Sequence, residues 1–196
     1  MNTAMPPRWA EIVLQLSVDR RDRDTVSGDL LEQYRDSVMT ERGASAANAW
    51  YLRQVAGFVC RSHWMWAVAM SGAFLIRTAI DWRVPTTEFA ARASVSSTVG
   101  IAILLAAGFH AAWRSQSIGA GVLAGLFTPV LAAAMSAAGA VILLAIWHDP
   151  ATLAAIRGSG GIAEVFTLPV TLAVPGAVIG AVGGTAGRLV SPLRRA

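Results

Sequence analysis

The chain has 196 residues, of which 55% are apolar and only 14% charged, with a formal net charge of +4. An average soluble domain carries roughly 25% charged residues, so the composition excludes an ordinary water-soluble globule and makes a bilayer the default solvent for most of the chain. All 16 basic residues are Arg, a pattern that fits the coding bias of a GC-rich bacterial genome. No Arg stripe interleaved with aromatics appears, so nucleic acid is not an expected partner.

Polar and apolar residues are unevenly spread: the first third is charge-rich, and the long apolar segments begin after Trp64. Residues 1–8 lack a charged stretch followed by an apolar core, so the N-terminal region is expected to stay in the cytoplasm. Pro6 and Pro7 suit a helix start, and Trp9, Ile12, Val13 and Leu16 recur at helical spacing, predicting an amphipathic helix over residues 7–18. The acidic and basic run at residues 19–24 offers Asp caps for a second helix. Its stripe is Val26, Leu30, Tyr34 and Val38, and Gly43 is placed to end it in a left-handed turn. Ser45 then caps a third helix with a face of Ala47, Trp50, Tyr51, Gln54, Val55 and Phe58. No Gly or Pro cluster separates that helix from the apolar sequence beyond it.

Four segments have the roughly 17–25 apolar residues that a membrane-crossing helix needs: about 64–80, 94–113, 118–147 and 163–189. The first is the least clean, because Arg77 and Asp81 crowd its end. The expected architecture is therefore all-α, with a cytoplasmic three-helix module over residues 1–61 and a four-helix transmembrane bundle over residues 62–196. With this division, 12 Arg lie on the side of the two termini and four on the other. The excess of positive residues on the inner side predicts a multi-pass protein of the bacterial inner membrane with both termini cytoplasmic.

The string Gly28-Asp29-Leu30-Leu31-Glu32-Gln33-Tyr34-Arg35, the following Gly43 and the Trp50-Tyr51-Leu52-Arg53-Gln54-Val55 block resemble the permease prefix domain over about residues 22–61. That domain precedes orphan permease subunits of ABC transporters of the macrolide-exporter type and also heads small membrane proteins. The resemblance implies a cytoplasmic helical module attached to membrane helices. Such permeases insert a bulky extracytoplasmic domain between their first two spans, whereas here only about residues 81–93 connect them. The Lys-free sequence also has no Walker-type phosphate loop. The resemblance thus extends to the prefix module and not to a transporter body.

Several residues admit two readings. Gly28 either allows a close helix crossing against the Trp50-Tyr51 face or marks a partner's approach. Asp29, Glu32 and Arg35 form either a solvated face or a partner-binding surface. Cys60, the only cysteine, stands three residues from His63, but two ligands fall short of the four of a structural zinc site. An interfacial His beside Trp64 and Trp66 is the plainer account of His63, as it is for His110 beside Trp113. Gly121 and Gly125, and Gly176, Gly180 and Gly184, recur at four-residue spacing, the pattern by which helices pack closely in lipid. Gly-rich composition is the alternative. Pro129, Pro169 and Pro175 remove backbone donors inside apolar segments.

No nucleophile–base pair stands out, so the sequence points to neither an enzyme nor a cofactor. The expected function is that of an accessory or regulatory membrane protein whose module binds a protein partner, either a membrane-transporter component or a regulator. A small transporter or channel built from several copies is the alternative, and homo-oligomerisation is left open. The lipid bilayer is the other expected partner.

Overall fold

A computed structural model describes residues 5–84, 89–158, 167 and 170–190. The described elements are helical: α1 (Arg8–Ser17), α2 (Arg23–Gln33), a π turn (Tyr34–Val38), α3 (Met39–Arg83), α4 (Phe89–Ser115), α5 (Ile118–Ile146), α6 (Pro150–Gly158) and α7 (Ala173–Val190). Three of them, α4 from Ala90, α5 and α7, are long and apolar enough to cross a membrane. The first expected span, residues 64–80, is the C-terminal part of α3 and does not reach that standard, because Trp64, Trp66, Ser71 and Arg77 dilute its apolar character. The last expected span is described as α7 from Ala173, and Pro169 lies outside the described residues.

The π turn follows from residue spacing. Apolar side chains repeated every four residues drift by about 40° per turn around an α-helix. Val26, Leu30, Tyr34 and Val38 would wander off the core, but one wider turn resets the register. The Met39 amide reaches back to the Tyr34 carbonyl there, and Leu30, Tyr34 and Val38 are all buried. Gly43 then breaks the helix at φ 79°, ψ 172°. This is the extended positive-φ region that essentially only Gly occupies, and it replaces the expected left-handed cap.

From residue 44 to Arg83, α3 is unbroken, roughly 60 Å of helix at 1.5 Å per residue. Its first part forms a core with α1 and α2 through Ala47, Tyr51, Val55 and Val59. Its second part packs on α4 and α5, with the Ser136 hydroxyl donating to that of Ser71 (3.2 Å) and Leu75 seated over Gly139. The face of α1 differs from the sequence expectation. Ala10, Leu14 and Val18 are buried, while Trp9 and Ile12 are 60% and 57% exposed. The small Ala10 permits close packing, and the orientation carries Glu11 to polar partners on α2 and α3.

At the opposite end of the bundle, Asp81 is buried between Arg77 (3.3 Å) and Arg92 (3.2 Å). That pairing lets α3 and α4 stay helical through charged residues, so α4 starts at Phe89 and not near Ser94. Helix α6, which the sequence reading did not foresee, is capped by Asp149. The carboxylate accepts from the Thr152 hydroxyl (2.7 Å) and amide (3.0 Å), which hold it below the usual carboxylate range. Ile156 buries against Trp82 and Ala140.

Candidate functional site: the N-terminal helices and their junction with the bundle

The residues singled out in the sequence fall into two groups. Asp29, Glu32 and Arg35 are exposed on one side of α2 and the turn after it, while Ser27, Leu30 and Tyr34 on the other side are buried. Arg35 reaches the Met5 sulfur (2.8 Å), joining this charged edge to the start of the chain. Behind it the Tyr34 ring meets Tyr51 edge-on, with centroids 5.9 Å apart, and its hydroxyl donates to Asn48 (2.9 Å). Tyr51 is fully buried and Trp50 half-buried beside the same core. Gly28 does not take part in a helix crossing: a Cβ there would meet nothing within 4 Å. The neighbouring Ser27 makes the contact instead.

Glu11 gathers the three helices, and sequence reading gave it no role. Its carboxylate accepts hydrogen bonds from Gln15 (3.0 Å), from the Ser27 hydroxyl on α2 and from the Tyr51 hydroxyl on α3. Burial, then the hydrogen bond to Glu11 and its negative charge, push the Tyr51 hydroxyl well above the ordinary tyrosine range. An acidic residue beside an apolar stripe was the one available signal. Its partners, 16 and 40 positions away, were not readable from spacing.

At the junction, Arg114 at the end of α4 pairs with Asp19 through Nε (2.8 Å) and Nη2. Arg20 donates to Gln116, which stands at φ 58° in the two-residue turn between α4 and α5. Leu16 lies against Gly119 at the start of α5. These contacts close a crevice between α1, α3 and α4 lined by Ser62, His63, Trp66 and His110. Trp66 donates weakly to His110 Nδ1 (3.5 Å), and His63 stacks on Phe127 with its Nε2 buried and unpartnered. Cys60 is exposed whereas His63 is buried, so the two do not converge on a metal. Among the described residues no cluster of three or more metal-ligating side chains occurs.

The second group builds the bundle. A Cβ on Gly121 would come 2.8 Å from Gly184 Cα, and one on Gly180 would come 2.8 Å from Gly125 Cα. A Cβ on Gly176 would strike the Gly125 carbonyl, the acceptor whose intrahelical donor Pro129 removes. Gly108 of α4 meets Gly180 in the same way, and Gly183 and Gly187 meet the α4 backbone at Leu105 and Phe109. The helices α4, α5 and α7 thus touch backbone to backbone along one seam. Both α5 and α7 remain helical through Pro129 and Pro175.

The arrangement offers a charged, outward-facing edge held by a polar and aromatic core. No protein-family model, no curated protein and no solved structure matches the chain.

Proposed function

We propose that the protein is an integral inner-membrane accessory or regulatory protein, in which a four-span bundle holds a cytoplasmic helical module that docks a protein partner. The observation that carries this reading is the exposed Asp29–Glu32–Arg35 edge, backed by side chains locked into a core that continues through α3 into the bundle. A free charged edge on a rigid support suits recognition, since charged rims steer encounter and select partners. The resemblance of residues 22–61 to the permease prefix domain supports a transporter component or its regulator as the partner. The backbone seam of α4, α5 and α7 occupies the place that a pore within one chain would need, which favours this reading over a single-chain transporter. In the proposed topology the C-terminal part of α3 is a fourth membrane crossing, first in chain order, with its Arg77 and Asp81 neutralised as a pair.

Asp29→Arg combined with Glu32→Arg tests the docking edge. The double variant is expected to express and insert normally but to lose the protein that co-purifies with the wild type from native membranes. Retention of that protein at wild-type yield would remove this edge as the recognition surface.

A further inference from the structure

The crevice at the junction holds two imidazoles and no free carboxylate. His63 is 3% exposed, stacks on Phe127 and leaves Nε2 without a hydrogen-bond partner. His110 lines the same crevice from α4 and accepts from Trp66. Asp19 is the one acid among the described residues that line it, and Arg114 takes both of its carboxylate oxygens. Asp22, further along the chain, adds its negative charge near Arg114. Helix α5, which supplies Phe127, has no ionisable residue, and Cys60 and Arg61 beside His63 on α3 are exposed. A proton on His63 would therefore set a cation beside a second imidazole and the Arg114 guanidinium. Out of bulk water and with no carboxylate to answer it, that charge is strongly disfavoured while the crevice is shut.

The cover over this site is the segment that joins α1 to α2. Leu16, Ser17, Val18 and Asp19 form one wall of the crevice. Val18 is extended, and the chain stays non-helical as far as Asp22. Its ties to the bundle are the Asp19–Arg114 pair, the Arg20–Gln116 hydrogen bond and the Leu16–Gly119 contact. Both members of the ion pair are partly exposed, and such pairs typically contribute about 1 kcal/mol or less. Ala10 and Leu14, by contrast, anchor the body of α1 in the core. The joining segment is thus a strap that lifts from Arg114 while α1 itself stays docked, a local opening of the kind that costs far less than unfolding.

We propose that His63 is a proton-binding site that controls this strap. Neutral His63 keeps residues 18–22 closed over the crevice, and protonated His63 opens them to water and frees Arg114 from Asp19. An imidazole open to water titrates near its ordinary value of about 6.5. The closed form holds the neutral ring, so closure is complete above that value and each pH unit below it favours the open form about tenfold. Between pH 7.5 and pH 5 the open form gains about thirtyfold. Carboxylates titrate near 4, so Asp19 stays ionised over this range and is not the trigger. The inference does not rest on a protein partner.

Full-length protein carrying Cys60→Ser and Ser115→Cys is reconstituted in phospholipid nanodiscs and reacted with a water-soluble maleimide. Ser115 is buried in the crevice wall, so the labelling rate there follows the population of the open form when opening is faster than reaction. Dividing by the rate for Thr25→Cys, on the exposed side of α2 in the same Cys60→Ser background, removes the pH dependence of the thiol itself. The ratio is expected to be far below one at pH 7.5 and to rise about thirtyfold by pH 5. His63→Phe keeps an aromatic ring on Phe127 but takes no proton, and it should hold the low ratio at both pH values. His63→Gln is the second uncharged variant, for the case in which the larger ring does not pack. A flat ratio with His63 present, or a ratio near one already at pH 7.5, would overturn the strap. The same rise in both His63 variants would overturn His63 as the proton site.

Discussion

Tyr51 shows how one side chain can tie the N-terminal helices together. Its ring fills the core against Tyr34, and its hydroxyl donates to Glu11, so packing and a charge-assisted hydrogen bond share one residue. The same burial and the same carboxylate raise its pKa. A raised folded-state pKa means that the folded protein holds its proton more tightly than the unfolded chain does. The stabilisation is therefore complete below the unfolded value, about 10, and is lost as pH rises above it. Melting temperature in detergent is expected to fall as pH climbs past about 10. Tyr51→Phe should be less stable at neutral pH by about 1.5–3 kcal/mol, the usual worth of a hydrogen bond to a charged group, and should lack this alkaline loss. Parallel alkaline melting curves for the two proteins would show that Tyr51 is not the titrating group.

At the scale of elements, bare backbone sets the bundle. Gly125 and Gly100 are both helical glycines, but only Gly125 has a neighbour where a Cβ would go. Alanine in an open helical position gains up to about 1 kcal/mol over glycine, whereas forcing a methyl group against a facing backbone typically costs about 1–3 kcal/mol. Gly100→Ala is thus expected to raise the melting temperature slightly and Gly125→Ala to lower it. Shifts of the same sign would mean that the seam yields to a methyl group. The glycine repeats were legible in the sequence because their spacing is local, as were the apolar lengths of α4 and α5. The face of α1 was not, since helical spacing marks both Trp9–Ile12–Leu16 and Ala10–Leu14–Val18 as apolar stripes. Tertiary partners chose between them. His63 and His110 each looked like a lone interfacial residue, and only the fold places both in one crevice with Trp66. For Gly28, helical position alone cannot say whether a neighbouring helix is near, and none lies within 4 Å of where its Cβ would be.

For the whole molecule, α3 makes the N-terminal helices and the bundle a single body, pinned again by Asp19–Arg114 and Leu16–Gly119. The proposed topology places the Gln116 turn and both termini on the cytoplasmic side. Alkaline phosphatase fused after Ser115 or Ala196 is expected to be inactive and after Thr87 active, and activity after Ser115 would sink the arrangement. The glycine seam has a further consequence for how such a body can move. A core of interlocked side chains loosens by rotamer changes, but at these crossings α5 and α7 meet mainly through glycine backbone, with the Pro129 ring against Gly176. Their freedom is that of toothed bars. Because Gly176, Gly180 and Gly184 repeat every four residues, shifting α7 by one repeat takes roughly 6 Å along its axis and about 40° of rotation, and it brings Leu172 or Arg188 to a place that a glycine now holds. The seam therefore acts as a lock on the bundle: any displacement of α7 along it forces a side chain into a contact shaped for bare backbone.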